Sequence, residues 1–110
     1  MLPTTDGHRE LPIACDLTAI PTGEREAHVL LARELFFEAK PERQELPDGY
    51  AFRFRADDYP LLAEFIANER LCCPFFRFDL ELTPARGPIW LRISGGDGVK
   101  EFVQAEFTTE

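Results

Sequence analysis

The chain has 110 residues, of which 45% are hydrophobic and 29% are charged, and its formal net charge is −8. This length and composition predict one globular domain and exclude the collagen-like, coiled-coil and disordered classes. The excess of acidic residues argues against nucleic acid and anionic membranes as partners, since both carry negative charge themselves.

The sequence also predicts a cellular compartment. No apolar run approaches the roughly 20 residues that a membrane-spanning helix needs, and residues 1–6 lack the basic and apolar segments of a secretion signal. We therefore expect a cytoplasmic protein. Three cysteines are an odd number in such a chain, which predicts reduced thiols rather than a disulfide framework.

The first third of the chain predicts a strand and a helix. Residues 1–10 are polar and without periodicity, so a flexible lead-in is expected before a single domain over residues 11–110. Alternation over residues 13–19 predicts a strand that turns Cys15 toward the core. The following helix formers predict a helix with His28 on its apolar stripe.

The rest of the chain predicts two hairpins and two more helices. A turn at Pro47-Asp48-Gly49 between alternating segments predicts the first hairpin. A second helix is expected to end before Pro74, because the residue before a proline avoids the helical conformation. A second hairpin and a short closing helix follow, and Asp97 in a glycine-rich loop is the expected cap of that helix.

The order β-α-ββ-α-ββ-α predicts an α+β two-layer sandwich, with an antiparallel sheet of about five strands and helices on one face. Charged residues occupy the outward positions of the predicted strands, among them Arg53, Glu81 and Arg92. Cross-strand ion pairs on a solvated face are the simplest interpretation of that pattern.

The segment Glu69-Arg70-Leu71-Cys72-Cys73 concentrates the chemically distinctive residues of the chain. On a helix, Glu69 falls on the same face as Leu62 and Phe65, and the two cysteines follow it at i+3 and i+4. A carboxylate on an apolar face is costly to bury unless it is paired, protonated, bonded to backbone amides or part of a site. A purely structural bond to loop amides or to an arginine of the sheet is the alternative left open.

The position of Cys72 and Cys73 favours metal binding over nucleophilic catalysis. Both lie at the C-terminal end of a helix, where the dipole is negative, and the Glu69 carboxylate would further oppose thiolate formation. A metal cation reverses this effect, because its charge deprotonates a coordinating thiol. Thiolates favour thiophilic ions, so zinc, copper or mercury is the expected type of ion.

The candidate metal ligands are Cys72 and Cys73 together with Cys15, Glu69 and His28. Cys15 on its inward-facing strand could approach the pair, and His28 could add a nitrogen. Their spacing is not a known zinc signature. The alternatives are a small buried hydrophobe for Cys15 and an ordinary core histidine for His28.

Four segments together resemble a family of small uncharacterised bacterial proteins, from about residue 11 to residue 103. They are Ile13-Ala14-Cys15-Asp16-Leu17, Leu46-Pro47-Asp48-Gly49-Tyr50-Ala51-Phe52, Glu69-Arg70-Leu71-Cys72-Cys73-Pro74-Phe75 and Gly98-Val99-Lys100-Glu101-Phe102. The motif of that family is similar to Glu-Arg-x-Cys-Cys-Pro-Phe. The resemblance implies that Glu69, Cys72 and Cys73 are distinguishing residues, with Cys15 a fourth, and it implies no reaction.

Three functions remain open, and binding of a thiophilic metal ion is the leading hypothesis. A cysteine-dependent enzyme or redox sensor would use Cys72 or Cys73 as the reactive thiol and Glu69 as the proton carrier, but no catalytic residue is assigned and an enzyme is the less favoured class. A structural interaction module without chemistry is the third, and a homodimer would suit it if Trp90 and the Phe-rich hairpins form an apolar patch.

Overall fold

The computed structural model describes residues 13–108, which form one antiparallel four-stranded sheet and three α-helices. The strands are β1 (Glu42–Leu46), β2 (Gly49–Phe54), β3 (Arg77–Leu82) and β4 (Ile89–Ser94), and the helices are α1 (Arg25–Arg33), α2 (Tyr59–Cys72) and α3 (Val99–Phe107). The α+β class and both hairpins are confirmed, and the arrangement is compatible with a two-layer sandwich. The predicted lead-in at residues 1–10 lies outside the described residues.

The two hairpins join side by side in the strand order β1-β2-β4-β3. Strand β4 is central and pairs with both β2 and β3, so that Leu91 lies opposite Phe52 on one side and Leu80 on the other. A side chain on Gly49 would place its Cβ 2.0 Å from the carbonyl oxygen of Ile93. Glycine is therefore required where β2 begins against β4.

Aromatic side chains join the sheet to the helices. The Phe36 ring lies 5.0 Å from that of Phe52 on β2, 5.2 Å from that of Phe65 on α2 and 4.6 Å from that of Phe107 on α3. Phe36 belongs to one turn of π-helix, Glu34–Glu38, that continues α1. This wider turn buries Phe36 in the core and leaves Phe37 half-buried at its edge.

The prediction of a first strand at residues 13–19 is wrong, and the sheet accordingly has four strands rather than about five. Residues 13–19 form a bend and a short 3-10 turn, Leu17–Ala19. The Asp16 side chain accepts a hydrogen bond from the Thr18 backbone at 3.0 Å, and such local bonds compete with extended pairing. Ile13 and Leu17 are 39% and 42% exposed, so the alternation of this segment does not mark a buried face.

The outer face of the sheet carries the expected cross-strand ion pairs. Arg92 on β4 contacts Glu81 on β3 at 2.7 Å, and Arg53 on β2 lies 3.7 Å from Glu42 on β1. The opposite face of the same strands is buried in the core. These arginines are thus engaged by carboxylates.

The start of α3 differs from expectation. Its cap is Gly98 with φ +88°, and no side chain caps the helix. A positive φ favours glycine at this position, so the loop needs Gly98 rather than a capping Asp97.

Across residues 13–108, no helix combines the length and the apolarity that crossing a bilayer would require.

Candidate functional site

The C-terminal end of α2 brings an acid and two sulfur atoms into the core. Glu69, Cys72 and Cys73 are all buried, as are Leu62 and Phe65 on the same helix face. The inward orientation predicted from the helical spacing is confirmed. The helix ends because Cys73 leaves the helical conformation, with φ −129° and ψ 70°, immediately before a proline.

The irregular segment at residues 13–20, which contains Cys15, lies across this end of α2. The Asp16 amide donates to the Cys72 carbonyl oxygen at 2.9 Å, and Cys15 forms a disulfide with Cys73. The expectation of three reduced thiols is therefore wrong for two of them. The odd number of cysteines suggested reduced thiols, but it could not show that the fold brings the Cα atoms of Cys15 and Cys73 to 4.8 Å, within disulfide range.

Glu69 is paired with His28 of α1. Oε1 of Glu69 lies 2.7 Å from Nε2 of His28, and both residues are buried. An ionised carboxylate oxygen can only accept, so Nε2 is the ring nitrogen that carries the hydrogen. The imidazole also stacks on Phe65, with ring centroids 5.5 Å apart. The partner of Glu69 is thus neither a loop amide nor an arginine of the sheet.

Cys72 is the free thiol of the described chain, and it faces the same carboxylate. Its Sγ lies 3.6 Å from Oε1 of Glu69 and 3.5 Å from Sγ of Cys73. Burial, and then the negative charge of Glu69, raise the pKa of Cys72 to about 12. The thiol is therefore protonated at neutral pH, which agrees with the expectation that this environment opposes a thiolate.

Four of the five candidate ligands lie together. The ligand atoms of Cys15, Glu69, Cys72 and Cys73, which we call the thiol–carboxylate cluster, are all within 4.8 Å of one another. Tetrahedral zinc, with bonds of about 2.0–2.3 Å, places its ligand atoms roughly 3.3–3.8 Å apart. Cys72 Sγ lies 3.5 Å from Cys73 Sγ and 3.6 Å from Oε1 of Glu69, and Cys73 Sγ lies 3.4 Å from the other carboxylate oxygen, Oε2. The sulfurs of Cys15 and Cys73 are bonded to each other and would have to separate to take such positions. His28 lies outside the cluster and is hydrogen-bonded to its carboxylate, that of Glu69.

A cavity of about 330 Å³ opens beside the cluster. Cys72, Glu69 and His28 form part of its wall, together with apolar side chains of α1 and Phe107 of α3. Nδ1 of His28 has no hydrogen-bond partner among the described residues. A larger groove between α2 and β3 has neither a thiol nor a carboxylate in its lining.

Sequence reasoning missed two features of this site. The pairing of His28 with Glu69 joins residues 41 positions apart, and the cavity wall is assembled from separate helices and the irregular segment. The inward positions of both residues in their helices are the part that a periodicity argument can find. Their contact depends on how α1 packs on α2.

Comparison with protein-family models, with curated proteins and with solved structures finds no match to this chain. The resemblance based on the Glu-Arg-x-Cys-Cys-Pro-Phe motif therefore stays a prediction. The function has to be inferred from the chemistry of the cluster and its surroundings.

Proposed function

We propose that this protein binds a thiophilic metal ion, such as zinc, copper or mercury, through the reduced thiol–carboxylate cluster. The observation that supports this is the gathering of three sulfur atoms and a carboxylate within 4.8 Å of one another. Sulfur ligands select soft ions, and a carboxylate oxygen is an accepted fourth ligand for zinc.

The charge of the cluster favours a cation. Deprotonated Cys15, Cys72 and Cys73 would add three negative charges beside Glu69 in a buried site. In the described part of the chain, His28 is the basic side chain that contacts this carboxylate. Uncompensated buried charge is costly, whereas a bound metal ion supplies the opposite charge and stabilises thiolates.

Binding through all three sulfurs requires the Cys15–Cys73 disulfide to open. A dithiol reductant would supply two electrons and two protons, giving two thiols, and the metal ion would then displace the thiol protons. We further propose a cytoplasmic location, where the thiol pool keeps cysteines reduced. In this proposal the disulfide form is the state without the three-sulfur site.

His28 has a supporting role in the proposed site. Its bond to Oε1 of Glu69 fixes the orientation of the carboxylate next to the sulfurs. Residues that orient a metal ligand in this way change affinity when they are removed, typically by about 10–100-fold. We therefore expect His28→Ala to weaken metal binding without abolishing it.

The test is a cadmium titration of the reduced protein under argon, followed by the thiolate-to-metal charge-transfer absorbance and by native mass spectrometry. One ion per chain is expected, with weaker binding in Cys72→Ser and Glu69→Gln. Glu64→Gln, an exposed glutamate on the same helix, is the matched control and should bind normally. The proposal is wrong if the reduced protein takes up no cadmium, or if Cys72→Ser and Cys15→Ser bind as well as the wild type.

A redox sensor is the second candidate, because Sγ of the free Cys72 lies 3.5 Å from a disulfide sulfur, that of Cys73. Exchange would form a bond from Cys72 to one disulfide sulfur and release the other as a thiol. The raised pKa of Cys72 slows such an attack. Disulfide mapping after alkylation tests it, since a sensor of this kind must show pairings other than Cys15–Cys73.

The interaction-module alternative has less support. Phe52 and Phe54 of the first hairpin are buried in the core, so they do not contribute to an exposed apolar patch. A homodimer stays a prediction that sedimentation would test.

A further inference from the structure

The cavity beside the thiol–carboxylate cluster is larger than a metal ion needs. Its volume is about 330 Å³, whereas an apolar cavity of about 150 Å³ can hold a benzene molecule. The apolar part of its wall comes from the irregular segment, α1, the π-helical turn and α3. These side chains are Leu17, Val29, Ala32, Phe37 and Phe107.

The sulfur that borders the cavity as a free thiol is that of Cys72. Cys73 is completely buried and does not line the cavity, while Cys15, which does, is tied to Cys73 in the disulfide. A ligand that enters the disulfide form of the protein therefore meets one available thiol, with the Glu69 carboxylate 3.6 Å from it.

A second observation points to a ligand in this cavity. His28 is 4% exposed and lines the wall, yet its Nδ1 has no hydrogen-bond partner among the described residues. Buried polar atoms without partners are rare in folded proteins. The cavity wall thus combines apolar side chains, one free thiol, the ring of His28 and the charged side chains of Arg33, Glu69 and Glu106.

We propose that the disulfide form binds an organometal cation, in which a thiophilic metal ion carries one apolar organic group, with the metal on Cys72 and the organic group in the cavity. An ion that already carries one carbon ligand needs a single thiolate, unlike a bare divalent ion. The proposal rests on the proposed function in assigning soft-metal affinity to this cluster, but it requires neither reduction nor the other two sulfurs.

The binding step conserves oxidation states. The S–H bond of Cys72 breaks and a sulfur–metal bond forms, while the anion that accompanied the metal leaves. The proton passes to the Glu69 carboxylate, the nearest acceptor of the described residues, and from there to solvent. The organic group then occupies the space between α1 and Phe107.

The test uses the disulfide form without reductant and an equimolar mixture of phenylmercury and methylmercury, with the two adducts counted by intact mass spectrometry. The same mixture on urea-unfolded protein, its disulfide intact, gives the ratio set by mercury–sulfur chemistry alone. We expect the folded protein to favour phenyl over methyl about tenfold more than the unfolded chain does, because the cavity buries the ring. Cys72→Ala should form no adduct.

Two neighbouring substitutions on α1 separate the cavity from general surface effects. Val29 lines the cavity and is 40% exposed, whereas Leu30 is 53% exposed and does not line it. We expect Val29→Glu to reduce the phenyl preference and Leu30→Glu to preserve it, with circular dichroism confirming that both fold. Equal preferences in the folded and unfolded protein, or equal effects of the two substitutions, would overturn the inference.

The two proposals fail separately. Cadmium uptake by the reduced protein without a phenyl preference in the disulfide form would overturn the organometal inference alone. A phenyl preference that depends on Cys72, in a protein whose reduced form takes up no cadmium, would overturn the three-sulfur metal site alone.

Discussion

Glu69 is a buried carboxylate whose stability depends on a single basic partner. Its Oε1 accepts a hydrogen bond from His28 at 2.7 Å, and Cys72 can donate a weaker one from 3.6 Å. The second oxygen lies 3.4 Å from Sγ of Cys73, which has no hydrogen to donate while it is in the disulfide. Removing either member of the pair would leave the other buried without its partner, which is costlier than removing both.

We therefore expect Glu69→Leu and His28→Ala each to lower the free energy of unfolding by about 1–3 kcal/mol. The double variant should lose less than the sum of the two, because the second substitution removes a group that is already unpaired. Urea unfolding of the four proteins of this cycle measures the coupling. Glu64→Leu on the exposed side of α2 serves as the matched control and should change stability little. Strictly additive losses would contradict the pairing.

Cys72 should titrate far above an ordinary thiol. Burial, and secondarily Glu69, raise its pKa from 9.0 to about 12. Because the folded protein holds this proton more tightly than the unfolded chain, the associated stability is present below pH 9 and is lost as the pH rises toward 12. The ultraviolet absorbance of the thiolate, taken as the difference between wild type and Cys72→Ser, should stay flat through pH 9. In Glu69→Gln the rise should begin at lower pH, since the negative charge of Glu69 no longer raises the pKa of Cys72.

The irregular segment at residues 13–20 shows where sequence patterns stop being informative. Alternation predicted a strand, yet a strand also needs a neighbour with free backbone groups, and Asp16 instead caps a local turn through the amide of Thr18. The hairpins were predictable because their turns and both of their strands are contiguous in sequence. The position of the segment is set by distant contacts, above all Cys15 with Cys73.

Loss of the disulfide should therefore loosen this segment and destabilise the domain. The bond closes a loop with a sequence separation of 58 residues, for which chain entropy predicts about 4 kcal/mol of stabilisation. We expect Cys15→Ser to lower the urea midpoint by an amount close to that produced by reducing the wild type, and to be insensitive to reductant itself. Hydrogen exchange should show faster exchange of the Asp16 amide, which bonds to the Cys72 carbonyl oxygen.

At the scale of the whole molecule, the fold places the thiol–carboxylate cluster and His28 where the irregular segment, α1 and α2 meet. The inward positions of Glu69, Cys72 and His28 followed from helical periodicity, and the α+β class followed from the order of the elements. Sequence patterns did not predict the strand order, the pairing of His28 with Glu69 or the cavity, because each depends on how separate elements pack. A cluster built across elements in this way should couple its ligands to the stability of the entire domain.

That coupling gives a prediction for the intact protein. A metal ion that binds only the folded, reduced state should stabilise it by about 2.7 kcal/mol at a free concentration one hundred times the dissociation constant. Thermal unfolding of the reduced protein should shift upward with added zinc or cadmium, and a chelator should reverse the shift. The disulfide form provides the control, since two of its three sulfurs are bonded to each other and it should respond much less. An equal shift in both forms would mean that the ions do not need the sulfurs of Cys15 and Cys73, which would contradict the three-sulfur site.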